Sequence, residues 1–403
     1  MRCLTNSERD IIERSSAEPM LAQTLIWSAI NSGSRNLGGL EAMAAVLAEA
    51  FAPLPGALVL VEPKPVEAVD SAGAVHAIAH GSHLHLTVRP QAPLQMLFTG
   101  HMDTVFAIDH PFQSTQWIDD QTLGGPGVAD MKGGIAIMLA ALKAIEHSPA
   151  AAGLGYEVVI NSDEEVGSLS SADLLARAAR GKRAALTYEP AALPDGTLAG
   201  ARPGSGNFAI TVHGRSAHAG RNPEDGRNAI LAASDLALRL ARERGPSLSI
   251  NPSRIEGGSP TNVVPDIAIL RVNMRPATPD DQARAQAMVE AAIAKVASEH
   301  DVTIHLHGGF SRPPKPLSPE AEALFALVKR AGDDLGQAIR WRPTGGVCDG
   351  NNIAACGVPV VDTMGVRGGK IHSSEEYLLV DSLAERAALS ALTILRLIEE
   401  PAA

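Results

Sequence analysis

The stretch Gly-His-Met-Asp-Thr-Val-Phe (GHMDTVF, 100–106) closes a short apolar run at 94–99. The run has the length and composition of a buried strand. His101 and Asp103 lie two positions apart, so they share one side of an extended backbone. A neutral imidazole ligates a divalent metal well, and a carboxylate beside it can hold the other ring nitrogen and fix the tautomer. Taken alone, the pair is equally a strand-end histidine bonded to a local aspartate. The residues further along decide between the two.

Downstream, the Gly/Pro-rich segment LGGPGVADMKGG (123–134) leads into an apolar helix at 135–145. Its glycine spacing matches neither a Walker loop nor a dinucleotide fingerprint. Asp130 stands at the helix entrance, where a carboxylate is an N-cap or a ligand. A second buried-strand pattern at 156–161 ends in SDEEVGS (162–168). Two adjacent glutamates there are costly unless a cation neutralises them. In extended geometry neighbours point oppositely, so one of Glu164 and Glu165 can face a metal while the other faces a substrate; the alternative is a solvated acidic start to a helix at 169–180. A third strand, 184–188, ends in Glu189-Pro190. Ligands collect outside the carboxyl ends of strands in open α/β sheets, and each of these groups falls at such a place.

Upstream, one amphipathic helix is expected at 8–30 and another at 37–51, followed by strands at 57–62, 74–79 and 83–88. His76, His80, His83 and His85 have no acidic or cysteine neighbour in sequence and read as surface residues. Near residue 203 the pattern changes to strand 207–213, helix 226–243, strands 248–256 and 267–274, helix 280–299 and strand 302–307. That βαββαβ order describes a compact α+β module with its own sheet, and the Pro-rich 312–319 reads as the return linker. The chain then resumes with helix 320–335, strand 337–342, a loop TGGVCDGNN (344–352), strand 358–363, a glycine-rich loop MGVRGGKIHSSEEY (364–377) carrying His372, and a helix at 382–398. The expected fold class is α/β: a mixed-sheet catalytic domain formed by 1–202 and 313–403, with an inserted α+β domain at 203–312.

With 403 residues, 45% of them hydrophobic, the chain can bury the cores of two domains. A net charge of −11 argues against nucleic acid or an anionic membrane as partner. No apolar run is long enough to cross a bilayer, and the N-terminal segment lacks the apolar centre of a secretory signal. Cys3, Cys348 and Cys356 do not suggest a disulfide framework. A cytoplasmic enzyme acting on a small molecule is the simplest expectation.

Together, His101, Asp130, Glu165, Glu189 and His372 suit a pair of divalent ions bridged by one carboxylate. The order GHMDTV, GPGVADMKGG, SDEEVGS, YEP and a late histidine resembles the zinc-dependent aminoacylase/carboxypeptidase family, whose members include glutamate carboxypeptidase, acetylornithine deacetylase and succinyl-diaminopimelate desuccinylase. The resemblance spans nearly the whole chain and implies a metallopeptidase fold whose inserted domain serves as lid and dimerisation module. It implies that His101, Asp130 and Glu189 hold one metal while Asp130, Glu165 and His372 hold the other, most simply zinc, with cobalt or manganese as alternatives. It further implies that Asp103 orients His101, that Glu164 is the general base, and that a cis peptide follows Asp130. In the inserted domain, His218 of SAHAG matches an oxyanion-stabilising histidine supplied by the partner of a homodimer. Asn262 and Arg275 match residues that grip a substrate carboxylate, and a guanidinium fork suits that task. Cys348 stands where relatives often carry serine or threonine, and no nearby histidine activates it as a nucleophile.

The expected activity is metal-dependent hydrolysis of the amide bond in N-acyl amino acids or short peptides with a free carboxylate. An N-carbamoyl amino acid hydrolase is the alternative within the enzyme class. A binding protein that has lost catalysis is disfavoured because every ligand position and the base are occupied, and a structural zinc site would favour cysteines.

Overall fold

The computed structural model describes residues 3–400. Its centre is a six-stranded mixed sheet in the order Ala57–Val61, His83–Val88, Leu154–Asn161, Leu94–His101, Ala184–Thr187, Val360–Val361. The first three strands pair antiparallel, and Leu94–His101 lies parallel between Leu154–Asn161 and Ala184–Thr187. Side chains of the central strand alternate between two cores. Met96 and Phe98 join helices Gly133–Glu146 and Asp381–Glu399 on one face, whereas Leu97 joins Ala172–Ala179 and Asp349–Ala355 on the other. A sheet covered on both faces keeps its strands continuously apolar, as at Leu94–His101.

Two differences from the sequence expectation have local causes. The helix expected at 8–30 is split into Asn6–Ala17 and Met20–Ser28. Pro19 follows Glu18, which is extended at φ −63°, ψ 147°, because the proline ring disfavours the helical region for the residue before it. The loop expected at 344–352 contains the helix Asp349–Ala355, with Cys348 at its N-cap position. The histidine reading also changes: His80 and His83 are buried, and His83 lies against Ser162 and Ser170. His85 meets Glu157 at 2.6 Å and His76 meets Asp70 at 2.6 Å, partners that are distant or turn-separated in sequence.

Residues 205–312 build a separate four-stranded antiparallel sheet, in the order Leu248–Gly257, Ile267–Pro276, Ser205–His213, Thr303–Arg312. Helices Ala229–Arg242 and Pro279–His300 contribute Leu236, Leu240, Val289 and Val296 to a core of its own. The chain enters and leaves this unit side by side, with Arg202 bridged to Lys315. A hairpin of Val66–Val69 and Val75–Ile78 rests on its open sheet face, where Val69 packs with Ala209 and Ile269. A small sheet of Gly368–Gly369, Tyr377–Leu379, Thr122–Gly124 and Gln116–Asp119, absent from the sequence expectation, frames the loop carrying His372. Among the described residues no helix is long and apolar enough to cross a membrane.

Candidate metal centre

The parallel strands end together, and their ends carry the acids and imidazoles. His101 is the last residue of Leu94–His101 and Glu189 follows Ala184–Thr187 by two residues. Glu164 and Glu165 sit in a single helical turn, Glu164–Val166, just beyond Leu154–Asn161. Asp130 lies at a kink ahead of helix Gly133–Glu146, and its peptide bond to Met131 is cis. His372 adopts a left-handed conformation, φ 62°, in the loop between two strands of the small sheet.

These side chains converge. The two oxygens of Asp130 face different imidazoles, Oδ1 at 3.1 Å from His101 Nε2 and Oδ2 at 3.3 Å from His372 Nε2. Glu189 lies 3.8 Å from His101 Nε2, and Glu165 lies 3.1 Å from His372 Nε2. His101 Nδ1 is 2.9 Å from the Asp103 carbonyl. A carbonyl only accepts, so Nδ1 carries a proton and Nε2 is the nitrogen that faces the carboxylates and would ligate a metal ion once unprotonated. Asp103 also accepts the backbone N–H groups of Glu164 at 3.1 Å and Glu165 at 3.2 Å, and the Ser34 hydroxyl at 2.7 Å. Asp103 thereby holds the imidazole through its backbone carbonyl and the glutamate turn through its buried carboxylate.

The electrostatics of the cluster call for cations. Burial raises Glu165 to about 7, with the Asp130 charge adding to the effect. Burial likewise raises Glu164 and Glu189. Hydrogen bonding to Asp130 and Glu165 lifts His372 to about 11. The Glu165 Oε1 atom is buried without a hydrogen-bond partner, a costly state unless another group meets it. Two overlapping sets, His101–Asp130–Glu165 and His101–Glu164–Glu189, each bring three donor atoms within 4.8 Å of one another. Imidazole and carboxylate are suitable donors for zinc, manganese or cobalt, so the residues present fit divalent ions.

Several supporting residues have no strong signal in the sequence. Glu376 is buried and accepts the N–H groups of Gly127, Ala129 and Asp130 at 3.2, 2.9 and 3.0 Å, which shapes the turn that presents Asp130. Its glutamate pair with Glu375 in HSSEEY was the available cue. Arg312 donates to Glu164 Oε1 at 2.6 Å and to Asp349 at 2.8 Å. Nothing in SRPPKP marks that arginine as buried.

A cavity of about 460 Å³ opens from the cluster, walled by Pro190, Ala191, Arg202, Cys348, Thr363 and Tyr377 among others. The three remaining sequence candidates do not line it. His218 and Asn262 are exposed and adjacent, the Ala219 N–H donating to the Asn262 carbonyl at 2.9 Å. Arg275, half-buried on Ile267–Pro276, donates to the Gly345 carbonyl at 2.7 Å, next to cavity residues Thr344 and Gly346.

Known proteins share this arrangement of chain. Carboxypeptidase G2 of Pseudomonas sp. (strain RS-16) is 30% identical over 325 residues, 79% of this chain and 77% of that protein. A succinyl-diaminopimelate desuccinylase of Psychrobacter arcticus is 29% identical over 313 residues, covering 72% and 75% of the two chains. The solved structure of a tripeptidase from Staphylococcus aureus superposes with a TM-score of 0.71 over 96% of this chain and 98% of that one, at 24% identity, a likeness of fold. Residues 97–396 match the model of peptidase family M20/M25/M40, from the central strand through the last helix. The protein is therefore a member of that family of metal-dependent hydrolases.

Proposed function

We propose that the protein hydrolyses the amide bond of N-acyl amino acids or short peptides that carry a free carboxylate, using two divalent metal ions, most simply zinc. The observation that carries this reading is Asp130, whose two oxygens face His101 and His372 separately. His101, Asp130 and Glu189 would hold one ion, and Asp130, Glu165 and His372 the other. When bound, such ions supply Lewis acidity and lower the pKa of water.

The chain's own residues then divide the work. Glu164 is the general base: it takes the proton of the attacking water and hands it to the leaving amine. Arg312, touching one Glu164 oxygen, limits the positions that carboxylate can adopt. Asp103 fixes the His101 tautomer and the glutamate turn. Arg275 and Asn262 receive the substrate carboxylate, which draws the inserted module over the cavity. His218 stands outside the cavity of its own chain and serves the oxyanion in a second copy. Exposed Leu231 and Leu238 on one helix of that module, and Ile255 on its edge strand, offer apolar surface for such a homodimer.

Elemental analysis, combined with assays on a panel of N-acyl amino acids and dipeptides before and after chelation, tests the proposal. The expected result is two ions per chain, with turnover lost on chelation and restored by zinc or cobalt. Metal without turnover on any amide would shift the reading to N-carbamoyl substrates. A folded protein that takes up no metal would overturn it.

A further inference from the structure

Between the paired strands Ala57–Val61 and His83–Val88 the chain leaves the catalytic sheet and forms the separate hairpin of Val66–Val69 and Val75–Ile78. This arm lies upstream of residues 97–396, the span that matches the family, and the proposed reaction gives it no task. Its root is fixed to the catalytic domain. The Lys64 N–H donates to the Ser170 carbonyl at 3.1 Å, Lys64 Nζ meets Asp173 at 2.7 Å, and the Ser162 hydroxyl donates to the Gly81 carbonyl at 2.6 Å. Ser162 and Ser170 stand in sequence on either side of Glu164 and Glu165.

The tip of the arm is held by the inserted module. Arg271 Nη2 donates to the Val69 carbonyl at 2.9 Å and to the Asp70 carbonyl at 3.3 Å, and His307 Nε2 donates to the Glu67 carbonyl at 3.0 Å. Arg271 Nε pairs with Glu256 at 2.5 Å, which orients the guanidinium. Val69 is buried against Ala209 and Ile269. Gly73, at φ +81°, lies so close to the module that a Cβ would stand 2.8 Å from Ile267 Cδ1. Packing is incomplete elsewhere: a cavity of about 340 Å³ remains between arm and module, so the polar contacts carry much of the grip.

Covalently, the module joins the catalytic domain through two chain crossings that lie side by side, at Arg202 and Lys315. Adjacent crossings form a hinge, with rotation about one axis left free. A contact away from that axis restrains the rotation. Arg271 and Arg275 stand four residues apart on Ile267–Pro276, so their side chains leave the same face of the strand, about 13 Å apart. The arm meets that face at Arg271, and the cavity loop meets it at Arg275 through the Gly345 carbonyl. Where the arm holds Arg271 therefore governs where Arg275 stands against the cavity.

We propose that the arm is a stay between the two domains, and that Arg271, by clamping it, is a positioning residue that sets the approach of Arg275 to the substrate carboxylate. The role given to Arg275 rests on the amide-hydrolase reading; the stay does not.

The test reads distance and turnover together. Spin labels at the exposed positions Glu49→Cys in the catalytic domain and Ala287→Cys in the module report the interdomain distance distribution. The protein is metal-loaded, carries Cys3→Ser and Cys356→Ser, and is diluted with unlabelled chains. Arg271→Ala should widen the distribution, and Arg271→Lys, which keeps a donor, should narrow it again in part. On N-acyl amino acids, Arg271→Ala should raise KM by roughly tenfold, the factor of one charge-assisted hydrogen bond, with kcat and metal content nearly unchanged. Replacing residues 66–78 by a short Gly/Ser linker should reproduce both effects. An unchanged distance distribution in the Arg271→Ala protein would overturn the stay. A wider distribution with KM unchanged would overturn its link to Arg275. A wild-type protein that turns over no N-acyl amino acid or dipeptide, with the distribution still widened by Arg271→Ala, would overturn the amide-hydrolase reading and leave the stay standing.

Discussion

Two buried charge clusters border one cavity, and they are opposite in kind. Around His101 the carboxylates of Asp130, Glu164, Glu165 and Glu189 outnumber the imidazoles. Around Asp362 the cations outnumber the single carboxylate. The first cluster is strained as it stands: Glu165 is raised to about 7 by burial and the neighbouring Asp130 charge, and one of its oxygens lacks a partner. The second is largely satisfied, because Arg202 and Lys315 outweigh the effect of burial and hold Asp362 down at about 2. Burial penalises charge in both places. What differs is whether the protein itself supplies the counter-charge, and a binding site is where it does not.

The largest effect that would sharpen this contrast is chemical. Glu164→Gln should lower kcat by about 10²–10⁴-fold, the range for loss of a general base, while metal content measured by elemental analysis stays unchanged. Loss of metal along with activity would instead make Glu164 a ligand. Next in size, metal-free protein should melt well below the loaded form. Saturation a thousandfold above Kd stabilises by about 4 kcal/mol, and calorimetry that finds equal melting temperatures would break the comparison.

In the second cluster, Asp362→Asn leaves Arg202 and Lys315 without their carboxylate. A loss of about 3–5 kcal/mol is expected for breaking a buried pair, read from denaturant midpoints. The smallest effect is the pH response, where the clusters should move in opposite directions. Asp362 falls from its ordinary 3.8 to about 2 in the folded state. Its contribution, about 2 kcal/mol, is present above pH 3.8 and is lost as pH falls through about 2. Glu165 rises from 4.5 to about 7, so metal-free protein should lose stability as pH rises across that interval. Bound metal should abolish the second trend and leave the first, a difference measurable by melting temperature against pH.

Much of the fold is legible from periodicity. The strands near 94–99, 156–161 and 184–188 and the βαββαβ order after residue 203 all appear in the structure within a few residues. Long elements that bury one face or both leave a repeating apolar pattern that local sequence carries. The misses are short or context-dependent. Strands such as Gly368–Gly369 and Leu198–Ala199 are two residues long and exist only because a neighbour pairs with them. The turn shaped by Glu376 depends on a carboxylate about 250 residues away in sequence from the amides it receives, and no local propensity records that.

The candidate centre divides along the same line. By itself, the sequence determined the donor types and their place at strand ends: His101, Asp130, Glu164, Glu165 and Glu189 each follow or flank an apolar run, because the apolar middle of a buried strand excludes charge and leaves polar groups to its ends. Tertiary structure alone decided which oxygen of Asp130 meets which imidazole, that Asp103 holds the glutamate turn as well as His101, and that Arg202, Arg312 and Lys315 are buried where the two sheets are joined. Those outcomes are set by packing between segments far apart in the chain, where burial turns an ordinary arginine or aspartate into a group whose charge must be answered.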